Sequence, residues 1–444
     1  MENPSALSGI RVIDFTHVYQ GPVGTQLLAD HGADVIKVER PDAGDWSRRW
    51  GPFVHGVSLP YAGLNRNKRA FAVNLKTAGG LAAVRALIAT ADVLVHNFRP
   101  GVMEKLGLGH EQLAARHPRL VHAWSGGWGD HGPAVERGRG GHDLMARAEA
   151  GWFTQPDPAR PPFPAGISAD YAAGLMLMQG ILMALLARER TGRGQRVTTD
   201  LLSVAFHAHS WEGPAAMNAA RVTEESGVSA QEAIIDKSFA TADGYLEVSP
   251  VFSDNAVRDI SLALGLDDLS RRAEFATLEL QRANRAALNG LLAERFRSRP
   301  TADWLAELEP RGVFCARINT LEEAAADEQV RRNGMVVEVD HGPAGVDQAE
   351  SCRRRRTTSE MPRPAHSNAR TRTISSTGAS LAGSPSTVST SAVSGAPTWV
   401  AFNVDVGASR GRLAASTTDT ATLGSAPDAV EIVHVPPCGR PTTT

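Results

Sequence analysis

The chain lacks the features that mark secreted, metal-binding and nucleic-acid-binding proteins. Its three cysteines, Cys315, Cys352 and Cys438, lie far apart without a CxxC pair, which argues against a disulfide scaffold or a zinc cluster and fits a reducing compartment. The net charge of −2 over 444 residues gives no field for holding nucleic acid. No basic segment followed by an apolar run begins the chain, so we predict a cytoplasmic protein without a signal peptide.

Long apolar runs and nucleotide-binding motifs are scarce as well. Residues 172–187 come nearest to a membrane span, but Gln179 interrupts them and charged residues follow, so we predict a buried helix and no membrane partner. The first strand is not followed by GxGxxG, and GxxxxGK[ST], HExxH and GxSxG are all missing. We therefore expect no NAD-type or ATP-type site.

Short β-rich runs alternate with helical runs over the first two hundred residues. We predict strands at 10–15, 34–39, 70–74, 92–97 and 120–124, and helices at 23–31, 78–91, 110–117 and 171–190. Such alternation is typical of an α/β fold with a Rossmann-like, mainly parallel sheet whose strands are buried on both faces.

The sequence pattern changes from about residue 218. A hairpin-like run at 239–248, short amphipathic helices up to 308 and a strand at 312–318 predict a second, smaller α+β domain. We assign residues 1–215 to the large domain, 216–325 to the small domain and 326–346 to a return to the large one. Residues 347–444 are rich in Ser and Thr without apolar periodicity, a composition typical of disorder.

Basic residues recur close to the ends of the predicted strands. Ligands of open α/β sheets gather at the carboxyl ends of strands, and Arg and Lys suit a polyphosphate there. A solvated rim explains any one of these residues alone, whereas several together favour a polyphosphate site. The residues are Arg40, Arg66, Lys68, Arg69, Lys76 and Arg99.

Asp170 lies in the sequence GISADYAAG, at the start of the long apolar helix. Taken alone, it is most simply a helix N-cap. The same position favours an ionised carboxylate, and the small neighbours Gly166, Ala169 and Ala172 leave room for a bulky thioester. Asp170 is therefore also a candidate nucleophile.

His142 follows the glycine-rich stretch 138–141 and precedes Asp143 and a predicted helix. The two side chains suit an acid/base pair, and they equally suit the start of a helix. The glycine-rich run 126–129 either brings backbone N–H groups near a ligand or forms a simple turn. Spacing alone leaves these alternatives open.

Taken in order, several motifs resemble the class III CoA-transferases, the family of formyl-CoA transferase and carnitine CoA-transferase. Together they span about residues 7–345 in the family's order, which makes the set more specific than any single motif. The motifs are LSGI at 7–10, LADHGADVIKVERP at 28–41, NRNKR at 65–69, NFRPG at 97–101, GRGQ at 192–195 and TADGY at 241–245.

The resemblance implies an interlocked homodimer of two-domain subunits, with CoA bound by the first domain. Asp170 falls on the family's catalytic aspartate, which implies an acyl-CoA:carboxylate CoA-transferase that works through a covalent aspartyl intermediate. The substrates implied are an acyl-CoA and a carboxylic acid, with no metal and no permanently bound cofactor. His142 and Tyr19 are further candidates for the active site. Residues that match CoA-contacting positions of the family are Arg40, Val73, Lys76, Asn97, Phe98 and Lys105.

Two alternatives follow from departures within the chain. Gly-His-Asp at 141–143 resembles the related α-methylacyl-CoA racemases, in which a His and the equivalent of Asp170 exchange the α-proton. Against a racemase, their Ile-Glu-Pro segment is missing at 249–253. The second departure is the C-terminus, which does not match the family. The other alternative is therefore a protein that binds CoA but is inactive.

The C-terminal segment does not match the family's ending. The sequence RTRTISST at 370–377 can be encoded by codons that, read out of phase, give HTDDLLD, which resembles that ending. We therefore expect a frameshift near 347–352 and a non-native tail after it. Formyl-CoA transferases carry a glycine-rich loop in the second domain, whereas the run 226–237 here has one glycine, Gly227. This departure from the resemblance implies that formyl or oxalate transfer is not expected.

Overall fold

The computed structural model describes residues 5–155, 158–218, 234–249, 253–340 and 346–350, with side chains up to 336. The described residues divide into two compact units, one formed by those up to 209 together with 338–340 and 346–350, the other by those from 210 to 337. The domain boundaries inferred from the sequence, near 215, 325 and 346, stay predictions.

Strands β1 to β10 belong to the first unit. In chain order they are β1 (Arg11–Asp14), β2 (Asp34–Glu39), β3 (Phe53–Val54), β4 (Val57–Ser58), β5 (Arg69–Ala72), β6 (Val93–His96), β7 (Val121–Gly126), β8 (Phe153–Thr154), β9 (Phe163–Pro164) and β10 (Arg196–Asp200).

The helices of this unit lie between and after these strands. They are α1 (Gln20–Asp30), α2 (Leu59–Asn65), α3 (Ala78–Ile88), α4 (Val102–Lys105), α5 (His110–Ala114), α6 (Pro133–Glu136), α7 (Asp143–Glu149), α8 (Ala169–Thr191) and α9 (Leu201–His207), with a 3₁₀ turn at Trp46–Arg49.

Six strands form one parallel sheet in the order β10-β7-β6-β1-β2-β5. Val12 of β1 lies opposite Val35 of β2 on one side and Val93 of β6 on the other. The predicted α/β fold with a parallel sheet is confirmed. Because β2 and β6 flank β1, the connections from β1 lead to opposite sides of the sheet. A crevice therefore opens between the carboxyl ends of β1 and β6.

Two details of the sheet differ from the sequence prediction. Strand β10 was not predicted, and it pairs with β7 to form one edge. Strand β5 is largely exposed rather than buried on both faces, because it forms the opposite edge of the sheet.

The side chains of the central strands alternate between two cores. Val12 packs with Leu28 of α1 and Leu177 of α8, whereas Ile13 packs with Val84 and Ile88 of α3. This alternation is the two-residue period of a strand covered by helices on both faces.

The central helix α8 spans 23 residues and carries Asp170 in its first turn. Its length and hydropathy would also suit a membrane span. However, Leu177, Ile181 and Ala184 are fully buried against the sheet, as the sequence predicted for a buried helix. Helices α1 and α8 approach closely because Gly174 has no side chain; a Cβ atom there would lie 2.1 Å from Cγ1 of Val23.

The second unit contains an antiparallel sheet with the order β11-β12-β13. Its strands are β11 (Ser238–Ala240), β12 (Tyr245–Ser249) and β13 (Phe314–Arg317). Its helices are Gly213–Met217, Ala256–Ala263, Leu278–Ala283, Arg285–Phe296, Thr301–Leu308, Leu321–Ala326 and Glu328–Arg332, with 3₁₀ turns at Leu269–Arg271, Ala273–Phe275 and Glu309–Arg311.

Two further strands, β14 (Val336–Asp340) and β15 (Val346–Glu350), form a two-stranded sheet. Residues 347–350, at the start of the predicted disordered tail, belong to β15, and the extent of that tail stays a prediction. The remainder of the predicted tail, 351–444, and the predicted frameshift in it lie outside the described residues.

Candidate active site

A cleft of about 850 Å³ lies in the first unit, at the carboxyl ends of the parallel strands. It collects segments that follow β1, β2, β6, β7 and β10, together with the first turn of α8. Sequence-predicted residues that line it include Tyr19, Arg40, Asn97, Phe98, Arg99, His142, Asp143 and Asp170.

Asn97 joins the ends of β1 and β6 at the crevice. Its side-chain oxygen accepts the His17 N–H at 2.9 Å, and its amide nitrogen donates to the His17 carbonyl at 2.8 Å. The Phe98 ring lies beside the His17 ring, with their centroids 5.6 Å apart. Asn97 therefore fixes the backbone of the β1–α1 turn, so its amide group is already engaged within the protein.

Asp170 is the second residue of α8 and does not cap the helix. Ser168 is the N-cap, and its hydroxyl accepts the Tyr171 N–H at 3.3 Å. Within the described residues, the Asp170 carboxylate accepts no hydrogen bond from the protein and faces the cleft. The N-cap interpretation of Asp170 is therefore wrong, since Ser168 already fills that role.

The pKa of Asp170 is raised from 3.8 to about 7 by burial and by the neighbouring charge of Asp143. The sequence predicted an ionised carboxylate because of the helix N-terminus. That expectation is corrected, because burial and the charge of Asp143 oppose ionisation, and a pKa of about 7 leaves the carboxylate only partly ionised near neutral pH.

Asp143, the first residue of α7, supports the first turn of α8. One carboxylate oxygen accepts the Asp170 N–H at 3.0 Å and the Ser168 hydroxyl at 2.9 Å. Arg147 donates to its other oxygen at 3.2 Å. Burial raises the pKa of Asp143, but these hydrogen bonds and Arg147 outweigh it and leave the pKa below its ordinary value. Asp143 thus holds a negative charge beside Asp170.

His142 is the N-cap of α7, since its Nδ1 accepts the Leu144 N–H at 3.2 Å. Its side chain is exposed and lines the cleft. With Nδ1 used as an acceptor, the neutral ring carries its proton on Nε2. His142 can therefore accept a proton from a ligand only after this capping hydrogen bond is lost.

The glycine-rich run after β7 allows two chain segments to cross. A Cβ atom on Gly127 would lie 2.4 Å from the Cα of Gly141, and the converse distance is 2.6 Å. Trp128 donates from its indole nitrogen to the Gly140 carbonyl at 3.0 Å, and the Arg139 guanidinium lies 4.1 Å from the Trp128 ring centroid. The glycines are needed for this crossing, which places His142 and Asp143 at the cleft.

Several basic residues predicted for a polyphosphate site instead form ion pairs within the protein. Lys68 is 1% exposed and donates to Asp14 at 3.1 Å. Arg66 and Arg69 pair with Asp30 at 2.8 Å and with Asp34 at 2.7 Å. Only Arg40 and Arg99 of the predicted set line the cleft.

Three predicted CoA-binding residues lie outside the cleft lining. Val73 is buried in the core beside α3, and its N–H donates to the Glu39 carbonyl at 2.8 Å. Lys76 and Lys105 are exposed on the surface. The structure does not bring these three residues together with Asp170, and their contacts with CoA stay predictions.

Two cleft residues, Trp46 and Trp50, were missed in the sequence, although they are 60% and 49% exposed. The sequence signal that could have found them is the pair of tryptophans shortly after the predicted strand 34–39. Within the described residues, no group of three or more His, Cys, Asp or Glu side chains could hold a metal ion. The arrangement offers a weakly acidic carboxylate in a cleft with Arg40 and Arg99 on its wall.

The same architecture occurs in solved structures. A CAIB/BAIF family protein from Brucella suis superimposes with a TM-score of 0.69 and 32% identity, covering 81% of this chain and 94% of that one. Rv3272 from Mycobacterium tuberculosis gives a TM-score of 0.67 at 32% identity, covering 80% and 94%. The fold and the cleft therefore define an α/β enzyme of the CAIB/BAIF type.

The model of CoA-transferase family III matches residues 7–368, so the chain belongs to that family and is a CoA-transferase. It is 38% identical over 349 residues to an acyl-CoA transferase of Fusarium pseudograminearum, covering 75% of each chain. It is 34% identical over 348 residues to human succinyl-CoA:glutarate CoA-transferase, covering 78% of this chain and 79% of the human one. The resemblance found in the sequence motifs is confirmed.

Proposed function

We propose that the protein transfers CoA from an acyl-CoA to a carboxylic acid through a covalent intermediate on Asp170. One observation carries the proposal: the Asp170 carboxylate faces the cleft, and within the described residues it accepts no hydrogen bond. Its lone pairs are thus available for a carbonyl carbon. The raised pKa makes this carboxylate a stronger base than an ordinary aspartate, which favours nucleophilic attack once it is ionised.

The proposed steps balance without a metal, a redox agent or a net proton. The Asp170 carboxylate attacks the thioester carbonyl, the C–S bond breaks, and CoA thiolate departs. Asp170 and the acyl group are then joined as a mixed anhydride. The thiolate then attacks the aspartyl carbonyl, releases the donor acid and forms an aspartyl–CoA thioester. The acceptor carboxylate attacks the aspartyl carbonyl of that thioester, which breaks the C–S bond, releases CoA thiolate again and forms a second mixed anhydride. The thiolate finally attacks the acceptor acyl carbon of this anhydride, which forms the acceptor acyl-CoA and restores the Asp170 carboxylate.

The cations of the cleft wall support the binding of CoA. The Arg40 side chain is 63% exposed. Within the described residues its one acidic partner is Asp42, whose Oδ1 lies 3.5 Å from the Arg40 Nε. Arg99 has no carboxylate partner within the described residues. Two arginines with so little internal pairing suit the phosphates of CoA, which bind guanidinium groups by paired hydrogen bonds.

Dicarboxylic acids are the acceptor class we propose to test first. The relatives include transferases named for succinyl-CoA with glutarate and for acetyl-CoA with oxalate. Succinyl-CoA with glutarate is the first pair, because the human enzyme of that name matches over more than three quarters of both chains.

A homodimer is also part of the proposal. Leu182, Met183 and Leu186 of α8 are 36%, 50% and 62% exposed and form an apolar stripe on the exposed face of this helix. Such a stripe suits the surface of a second copy, as the family resemblance implies. Sedimentation of the purified protein tests this, and a monomer at micromolar concentration contradicts it.

Racemisation of an α-methylacyl-CoA is the second candidate, because His142 and Asp170 line the same cleft. The His142 cap disfavours it, since the ring nitrogen that would take the α-proton already accepts the Leu144 N–H. A racemase would exchange α-hydrogen with deuterated water and would need no acceptor acid.

One set of assays separates these functions from an inactive CoA-binding protein. Wild type, Asp170→Asn and Asp30→Asn are incubated with succinyl-CoA and glutarate, and glutaryl-CoA is followed by chromatography. We expect transfer by wild type and Asp30→Asn, none by Asp170→Asn, and thermal stabilisation of all three by CoA. Transfer by Asp170→Asn at the wild-type rate contradicts the proposal, and stabilisation by CoA without transfer for any donor–acceptor pair favours the binding protein.

A further inference from the structure

The turn between β1 and α1 holds a strained backbone at the edge of the cleft. Val18 has φ of 71°, in the left-handed region that β-branched residues rarely adopt. Strain of this kind persists only where the surrounding structure fixes it, and it is frequent at functional sites. Val18 and its neighbours His17 and Tyr19 all line the cleft.

Side chains from other elements hold the backbone on the N-terminal side of Val18. Asp14 accepts the Thr16 N–H at 2.8 Å, and Lys37 of β2 donates to the Thr16 carbonyl at 2.7 Å. Asn97 holds both the N–H and the carbonyl of His17. The peptide groups that lead to Val18 are therefore fixed before the strained residue is reached.

Asp45 holds Val18 itself. Its two carboxylate oxygens lie 3.1 and 3.3 Å from the Val18 nitrogen, which donates to them. The Asp45 carboxylate forms an ion pair with Lys37 at 2.9 Å, and both side chains are at most 1% exposed. An anion held in place by a buried cation gives the Val18 N–H a stronger and better-fixed acceptor than a neutral group would.

Asp45 also fixes a second wall of the cleft. It caps the 3₁₀ turn Trp46–Arg49 by accepting the Ser47 N–H at 2.9 Å. Trp46 lines the cleft, whereas Asp45 does not. One buried carboxylate thus connects the turn that carries Tyr19 with the turn that carries Trp46.

We propose that Asp45, through its ion pair with Lys37, is a positioning residue for CoA transfer. It holds Val18 at positive φ. It thereby keeps Tyr19 and Trp46 in place beside the thioester that Asp170 attacks. The inference rests on the proposed function, since it requires the thioester to lie in this cleft. Asp45 acts through the two turns and does not touch the substrate.

Asp45→Asn is the first test, because it keeps an oxygen for the Val18 N–H but removes the charge that pairs with Lys37. We expect kcat and kcat/KM to fall together by about tenfold or more, with KM little changed, as is typical of interactions needed in the transition state. Asp30→Asn is the matched control: Asp30 forms a buried ion pair with Arg66 at 2.8 Å, at the other end of α1 and outside the cleft. It should lower the melting temperature but keep kcat per folded molecule.

Val18→Gly separates positioning from a general loss of structure. Glycine adopts positive φ readily, so it removes the strain that Asp45 holds. Asp45→Asn should therefore reduce kcat less in the Val18→Gly background than in the wild type. An equal loss in both backgrounds contradicts the proposal. If Asp45→Asn gives no folded protein, Asp45→Glu keeps the charge but displaces it, and wild-type kcat in that variant overturns the inference.

The failure of this inference differs from the failure of the proposed function. Hydroxylamine traps an acyl-aspartyl group as a hydroxamate, so the rate of adduct formation on Asp170 can be followed in each variant. No adduct in the wild type contradicts the proposed function. An adduct in the wild type, formed at the same rate by Asp45→Asn, contradicts only the role of Asp45.

Discussion

Two regions of the first unit place the same residue type in opposite surroundings. Beneath the cleft, Asp14 is fully buried and accepts hydrogen bonds from Thr16, Thr25 and Lys68. Burial raises its pKa, but Lys68, Lys37 and these hydroxyl groups outweigh burial and hold the pKa far below its ordinary range. At the start of α8, burial and an acidic neighbour act in the same direction and raise the pKa of Asp170 to about 7.

The difference shows how surroundings assign a role to a carboxylate. The lone pairs of Asp14 are occupied by donors, so it is ionised but not available as a nucleophile. Asp170 has no donor among the described residues, so its lone pairs are available and its basicity is higher. Contrasting pKa shifts of this kind are a recognised sign of separate structural and chemical roles.

Replacing the unpaired carboxylate should give the largest effect. Asp170→Asn keeps the shape of the side chain but cannot form the aspartyl intermediate, so we expect transfer to fall by about 10³-fold or more. The initial rate of acceptor-CoA formation measures this. Binding of CoA, followed by calorimetry, should change little, and a residual rate above one tenth of the wild type would mean that another group is the nucleophile.

Replacing the paired carboxylate should act on stability. Asp14→Asn leaves Lys68 buried without its anion, and breaking a buried ion pair costs about 3–5 kcal/mol. Urea unfolding should show this loss in the free energy of unfolding. A loss below about 1 kcal/mol would contradict the view that this pair holds the β1 region together.

Replacing Asp170 should change the free energy of unfolding in the opposite direction from replacing Asp14. Since its pKa in the folded state lies above the unfolded value, the stability it contributes is complete below pH 4 and is lost as pH rises through 7. Asp170→Asn removes this loss, so at pH 8 it should be more stable than the wild type by roughly 1–2 kcal/mol. At pH 5 the gain should be smaller, and an equal gain at both pH values argues against the raised pKa.

The pH profile of transfer tests the cause of the raised pKa. Because only the ionised carboxylate attacks, kcat/KM should rise with pH and level off above about 7. Asp143→Asn removes the neighbouring charge, which should move the midpoint to lower pH. Burial is the larger cause and remains, so the shift should be partial. An unchanged midpoint would show that Asp143 contributes nothing to the pKa of Asp170.

His142→Ala should give the smallest effect on transfer. It removes the cap of α7, which is worth about 1 kcal/mol of stability, but no step of the transfer needs the imidazole. We expect the rate to stay within about fivefold of the wild type. His142→Asn, which restores a cap, serves as the control, and loss of transfer in both variants would show that the imidazole itself takes part in the transfer.

Local patterns predicted the parallel sheet and the position of Asp170, because both depend on neighbouring residues. Strand β2 begins and ends at the predicted residues 34 and 39. Strand β10 escaped prediction because Thr198 and Thr199 interrupt its apolar pattern, although all its residues from 197 are buried. Its burial comes from β7 and α8, which the local sequence does not show.

Pairing between distant residues was out of reach of the sequence. Lys68 looked like a phosphate ligand, but Asp14, 54 residues earlier, pairs with it within the protein. Asp170 looked like a cap, but Ser168 two residues before it serves that role. The raised pKa of Asp170 depends on burial and on Asp143, which is 27 residues away, and both act only in the folded chain.

The most direct test is to identify the residue that carries the acyl group. Wild-type protein is mixed with an acyl-CoA donor and hydroxylamine, digested and analysed by mass spectrometry, with Asp170→Asn alongside. The account predicts a hydroxamate on Asp170 in the wild type and none in the variant. A modification on any other residue, or transfer to the acceptor acid without an aspartyl adduct in the wild type, would contradict it.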